Sequence, residues 1–323
     1  MKQISRTQLK KAVIAAEAER ISSLSVSRPD FGQSAKLASN ARAAEKLGTR
    51  FLKAAGMDAA KLQAIAAGRE AEQTRMIEKH KADALKRAAR QQKTLRATLI
   101  AQSEALAQSV AGDFFPYPSF NLDTPFLIWS TPLLDIDSAA IPFGSSAKFR
   151  LATSQYQGVQ KVGFYFYWAN PFQDYAVINA ATFMSANGHL RAHAPWTIGV
   201  NTSEVTATAQ LGLSFGWPRP GTYQETEGVY LGGTGAFAQT FIGGDSNATT
   251  ISAGVSLNRT MFAVPPREVV VFEVALLVDY KNDDGNIEVD FAKGSFNITC
   301  PVVVFSILNS PPQLRKKGRL DTC

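Results

Sequence analysis

Few residues of this chain have the types and spacing for catalysis. It holds three histidines, His80, His189 and His193. A hydrolytic nucleophile needs a serine or cysteine within reach of a histidine, or a G-x-S-x-G turn between a strand and a helix; "GLSFG" (212–216) has that spacing but lies in an alternating strand pattern, not ahead of a helix. His189 and His193 would share a face of one strand, separated by about 13 Å at strand rise, too far for two ligands of one metal ion. His80 stands between Lys79 and Lys81 on a helical stretch. All three read as surface histidines.

The acidic turn "DYKNDDGNIEVD" raises calcium chemistry. With Gly285 as the sixth position, Tyr280 falls first and Phe291 twelfth, where an EF-hand loop needs Asp and Glu. Only a looser set of Asp279, Asp283 and Asp284 is left for that chemistry. The glycines of "LGGTGAF" and "IGGDS" lie between strands and read as turns, not phosphate loops. Two cysteines make no disulfide framework. Cys300 falls in a strand pattern as a buried thiol, and Cys323 is the last residue. Asn-x-Ser/Thr triplets begin at Asn201, Asn247, Asn258 and Asn297, and without a signal peptide they carry no glycosylation reading. The residues thus imply no enzyme, no cofactor and no metal.

Contact chemistry is better represented. In "KVGFYFYW", Val162, Phe164, Phe166 and Trp168 share one side of a strand, while Tyr165 and Tyr167 share the other. Either something covers that strand on both faces, for example the helical front of the chain, or the tyrosines form a contact surface for a subunit or a sugar. The "WANPFQDY" stretch adds Phe172 and Tyr175 as a rim. Tyr165, Tyr167, Phe172 and Tyr175 are therefore candidate interface residues.

These residues need strands to hold them. "VTATAQLGLSFGW" alternates Val205, Ala207, Ala209, Leu211, Leu213, Phe215 and Trp217 against Thr206, Thr208, Gln210 and Ser214. Ile251, Ala253, Val255 and Leu257 repeat the pattern, as do Val270, Phe272, Val274, Leu276 and Val278. Further strands are expected near 125–130, 147–153, 174–186, 222–231, 235–242, 286–292 and 296–308. "ANGH" (186–189) and "NDDGN" (282–286) are expected hairpin turns. Strands that each bury one face demand a second sheet, so the expectation is an antiparallel β-sandwich of jelly-roll or Greek-key type.

The first part of the chain is different. Residues 1–113 carry 21 Lys and Arg against 11 Asp and Glu and hold two aromatics, Phe31 and Phe51. The stretch from Phe114 to Ser310 is acidic overall. Leu9, Val13, Ile14, Ala16, Ile21 and Leu24 mark one helical face. A second helix is expected over about 34–55, stopped by Gly56, and a third from Asp58, as its cap, to about Val110. On a heptad, Leu85, Gln92, Leu99 and Leu106 line up beside Lys81, Ala88, Leu95, Gln102 and Ser109. That seam is narrow and partly polar, so the helix packs on copies of itself or on its own chain. Leu85, Leu95, Leu99 and Leu106 are its candidate interface residues.

The fold class is therefore α+β and segregated: N-terminal helices, long, amphipathic and coiled-coil-like, followed by the sandwich. The expected division is a basic Ala-rich helical region (1–112), a β-sandwich domain (113–310) and a basic tail (311–323). No stretch is apolar enough for a transmembrane helix. The opening residues form no signal peptide, so synthesis in the cytoplasm, with release by lysis or a non-classical export route, is expected. The leading functional expectation is a non-enzymatic, self-assembling structural protein, a homo-oligomer. The alternative is a lectin-like or receptor-binding module on a helical stalk, with a glycan or surface receptor as partner. A membrane-active toxin ranks third. Basic charge spread among acids along helices argues against a nucleic-acid partner.

Overall fold

The computed structural model describes residues 4–25, 46, 50, 52–111, 119–197, 200–217, 224–239 and 244–309. Among the described residues it contains two long helices, α1 (Arg6–Ser25) and α2 (Ala59–Ala111). The strands follow: β1 (Ser119–Leu122), β2 (Leu127–Ser130), β3 (Asp135–Ala139), β4 (Ser145–Thr153), β5 (Gln157–Ala169), β6 (Ala176–Ala194) and β7 (Val200–Ser214). They continue as β8 (Gln224–Gln239), β9 (Asp245–Val264), β10 (Val269–Asn282), β11 (Asn286–Asp290), β12 (Asn297–Cys300) and β13 (Val303–Ile307).

The strands form two antiparallel sheets, sandwich-like, with helices from the front of the chain against them. One sheet has eight strands, in which β9 lies beside β6, and β6 is linked through β11 to β4. The other has five, in the order β2–β5–β10–β7–β8. The reason is the period-two pattern: Phe164, Phe166, Leu211, Leu213, Phe272, Val274 and Leu276 of the five-stranded sheet meet Ile178, Met184, Leu190, Val289, Phe291 and Phe305 of the other in one continuous core.

Two local readings change. "ANGH" is not a turn but the middle of β6, with Asn187 paired to Ser252 of β9 and to Asn297 of β12. Gly188 is needed there because Phe291 packs on its Cα, so that a Cβ would collide with the ring. The strands expected at 222–231 and 235–242 are, over their described residues, one strand: β8 runs from Gln224 to Gln239 with a bulge opposite Ala207 and Thr208. The turn at 282–286 stands, held by Asn282, whose side chain accepts from the Gly285 N–H and donates to the Gly285 carbonyl, each at 2.9 Å.

At the front, Gly56 adopts φ +70° and stops the helix before it. The Met57 N–H reaches the Leu52 carbonyl and the Gly56 N–H that of Lys53, a Schellman ending. The expected helix over 34–55 otherwise lies outside the described residues. Asp58 caps α2, its carboxylate accepting from the N–H groups of Ala60 and Lys61. No described helix is long and apolar enough to cross a membrane.

Both helices rest on their own sandwich. The side of α2 that carries Ile77, Lys81, Ala84 and Ala88 is turned to the eight-stranded sheet, where Ala84, Ala88 and Leu85 pack on Phe296. The Lys81/Ala88 line of the heptad thus faces β-structure, not a copy of the helix. α1 lies on the outer face of the five-stranded sheet, with Leu9 and Val13 buried against Phe126, Leu127, Tyr165, Val269 and Val271. Ile14, expected on that face, is exposed instead.

Candidate functional site

The outer face of the five-stranded sheet carries the densest functional chemistry. Register from β5 through β10 and β7 to β8, shifted by one residue at the β8 bulge, lines its side chains into rows across the strands. One row is Lys161, Leu277, Thr208 and Tyr230. On one side of it follow Gly163, Ala275, Gln210 and Gly228, then Tyr165, Glu273, Gly212 and Thr226. On the other side follow Val159, Asp279, Thr206 and Gly233, then Gln157, Lys281, Glu204 and Gly235. α1 covers part of this face; the β7–β8 part is open.

Under α1 lies a buried quartet of charges. Lys161, 2% exposed, places its Nζ 2.7 Å from Glu17 Oε2 and 2.5 Å from Glu273 Oε1. Arg20 stands 3.4 Å from Glu273 and 3.5 Å from Glu17. Burial, and then the Glu273 carboxylate, push the Glu17 carboxyl above its usual range. Burial pulls Glu273 the same way, but Lys161 and Arg20 outweigh it and hold that carboxyl low. The Tyr165 hydroxyl, beside these carboxylates, is pushed well above the usual phenol range, by burial first. It makes no hydrogen bond of normal geometry among the described residues.

The open part centres on Tyr230, 63% exposed. Its hydroxyl lies over Gly233, where a Cβ would come within 2.7 Å of it, so the ring lies along the strand with one face to solvent. Thr208 pairs with Tyr230, Gln210 with Gly228, Thr206 with Gly233 and Glu204 with Gly235, so polar side chains border the ring and glycines leave room around it. Exposed Phe237 continues the line opposite Thr202. Asp279 and Lys281 complete the rim; burial first, and then the Glu204 carboxylate, raise the Asp279 carboxyl. Strand alternation in "GVYLGGTGAF" sets Tyr230 and Gly228 opposite Val229 and Leu231, while the bulge, which alternation does not foretell, brings Gly233 and Gly235 to the Tyr230 face.

A second polar layer lies between α2 and the eight-stranded sheet. Lys81 bonds Asp290 at 2.8 Å, Gln73 donates to Asp245, and Arg191 to Thr74. His189, expected at the surface, is buried there at 2% exposure. Burial, and then Lys81, bring its imidazole down to about 4.

The candidate interface residues are scattered. Tyr165 is buried at 1% exposure, so the covered-strand reading holds and no free contact surface exists there while α1 is seated. Tyr167 is half-buried, edge-on to Phe126 with centroids 5.3 Å apart. Phe172 packs on the main core, and Tyr175 is exposed. Leu85 is half-buried against the sandwich, while the side chains of Leu95, Leu99 and Leu106 lie outside the described residues. Asp279, Asp283 and Asp284 do not converge: Asp283 accepts from the Thr202 N–H and hydroxyl, and the Asp284 N–H donates to Asn201. Among the described residues no three His, Cys, Asp or Glu side chains stand together as a metal site. Cys300 is buried, its thiol pushed up to about 12 by burial.

No protein-family description matches the chain. No curated protein matches it. Among solved structures it overlaps a carbohydrate-binding module, TmCBM61, in complex with β-1,4-galactotriose, at 9% identity and TM-score 0.24, covering 56% of this chain and 87% of that one. It also overlaps the module CsCBM6-3 from Clostridium stercorarium in complex with cellobiose, at 14% identity and TM-score 0.19, covering 59% and 94%. A third overlap, at 10% identity and TM-score 0.20, is with the C-terminal family 22 module of Clostridium thermocellum Xyn10B, covering 57% and 87%. At these identities and TM-scores none of the three lends its ligand to this chain.

Proposed function

We propose that the sandwich is a non-catalytic glycan-binding module, using the open outer face of β7, β8 and β10. Its strand order, β4–β11–β6–β9 facing β5–β10–β7–β8, reads as a jelly roll. The observation that carries the function is Tyr230, a ring laid on glycine with hydroxyl, amide and carboxylate groups on its borders. A sugar ring presents an apolar C–H face and a rim of hydroxyls, and this surface offers the complement of both. The test is a glycan array, followed by affinity electrophoresis in soluble β-glucan, xylan and galactan. Wild type should be retarded by at least one polymer. Tyr230→Ala should bind about tenfold more weakly, as loss of about 1.4 kcal/mol of ring contact requires. Absence of wild-type binding across array and gels would refute the reading.

Self-assembly is the second reading, favoured by Ile65 and Met76. Both are exposed, and they stand eleven residues, close to three whole turns, apart on one line of α2. Native mass spectrometry of the purified chain distinguishes a homo-oligomer from a monomer.

A further inference from the structure

The contact between α1 and the sandwich is built from two charge pairs that are each complete without the other. Lys161 and Glu273 sit on neighbouring strands, β5 and β10, and pair at 2.5 Å within the sheet. Glu17 and Arg20 are one turn apart on α1 and pair at 3.5 Å within the helix. When α1 is seated the pairs merge, Glu17 with Lys161 and Arg20 with Glu273. When α1 leaves, each side keeps a neutral pair. Breaking a buried ion pair is usually severe because it strands one charge, and here no charge is stranded.

The remaining contacts have the same character. Leu9 and Val13, four residues apart and one turn before Glu17, enter a seat lined by Phe126, Tyr165, Val269 and Val271. That is the spacing by which an amphipathic helix fills a groove on a separate partner. No backbone hydrogen bond ties α1 to any strand among the described residues. The Tyr165 hydroxyl, buried without a well-formed partner while α1 is seated, gains water when it lifts.

We infer that the seat over β5 and β10 is an exchangeable helix-docking site whose occupant in trans is α1 of a second copy of this chain. Charge complementarity selects that occupant: a helix needs an acid and a base three residues apart, with two apolar residues four and eight positions before the acid, to satisfy Lys161, Glu273 and the apolar seat together. Reciprocal exchange between two chains closes a two-fold dimer in which neither seat is empty. The inference is independent of glycan binding.

Charge reversal on the full chain tests it. Glu17→Lys sets its helix against its own Lys161, and Lys161→Glu sets its seat against its own Glu17. Mixed, each helix fits only the other chain's seat. Native mass spectrometry should show monomers for each variant alone and a heterodimer as the main species of the mixture. The chain carrying both changes restores the pair in cis and should fold as wild type. A mixture that stays as two monomers overturns the inference. If a single variant fails to fold, wild type decides: isotope-labelled and unlabelled chains are mixed at high concentration. A mixed dimer that excess synthetic helix of residues 4–25 dissociates supports exchange. Monomers alone, or a dimer the helix leaves intact, overturn it.

Discussion

Lys161 is buried and tolerated only because two carboxylates meet it. Lys161→Met should therefore destabilise the fold by about 3 kcal/mol, since two buried carboxylates, Glu17 and Glu273, are left to share the single cation Arg20. Urea unfolding at neutral pH measures it; a loss under 1 kcal/mol would mean that water reaches the quartet. The two carboxyls of the quartet respond on opposite sides of the ordinary 4.5. Glu17 is raised, so its contribution is present below the ordinary 4.5 and lost as pH rises through the folded value. Glu273 is lowered, so its contribution is present above 4.5 and lost as pH falls. His189 responds in the opposite sense to Glu17. Its imidazole titrates at about 4 when folded and at 6.5 ordinarily, so the unfolded chain takes up a proton the folded chain refuses. That stability is complete above pH 6.5 and drains as pH falls to about 4. On the order of 3 kcal/mol is at stake. His189→Asn should flatten the fall, as thermal melts across that window would show. Neither group was legible as buried in the sequence. A Glu in a helix and a His in a strand read as solvated until a second element is laid over them. Glu17 does continue the Leu9–Val13 spacing, the single hint that it faces inward.

At the scale of elements, strand alternation carried most of the information. β5, β7, β9 and β10 bury the faces their alternation marks, because a strand with one apolar side has one stable orientation on a core. Asn-Gly in β6 misled because the glycine serves a packing ring, not a turn. The side on which α2 docks was illegible, since its alanines and lysines fit a sheet as well as a helix. How β8 ends the five-stranded sheet was also hidden. The Phe237 N–H donates to Asp245, while Asn247 and Thr249 donate to the carbonyls of Gly235 and Gly233 at 2.8 and 3.1 Å. Side chains of β9 thus occupy an edge that would otherwise recruit another strand. Asn247→Ala with Thr249→Val frees both carbonyls. The variant should aggregate faster than wild type near its melting point, read by light scattering, and equal rates would show that the edge is protected by other means.

At the scale of the whole molecule, the change of composition near residue 113 falls between α2, which ends at Ala111, and β1, which begins at Ser119. A basic helical front is laid over the outer faces of an acidic sandwich, at Lys81–Asp290 on one sheet and Lys161, Glu17, Arg20 and Glu273 on the other. Helices, strands and their segregation were readable from residue pattern. Tyr230 could have been found from the same alternation. The direction in which the helices fold back could not, because it is fixed by a few long-range ion pairs among many equivalent surface charges.

The lacing of β8 to β9 has one more consequence. Three side-chain bonds stitch the sheets along a single margin, as a spine binds two covers, and the margin formed by β2 in one sheet and β1 and β3 in the other consists of strands of four or five residues. Thermal parting of the layers then starts at those short strands and travels toward the stitches, so the Tyr230 ring rides on the half of the molecule that is last to loosen.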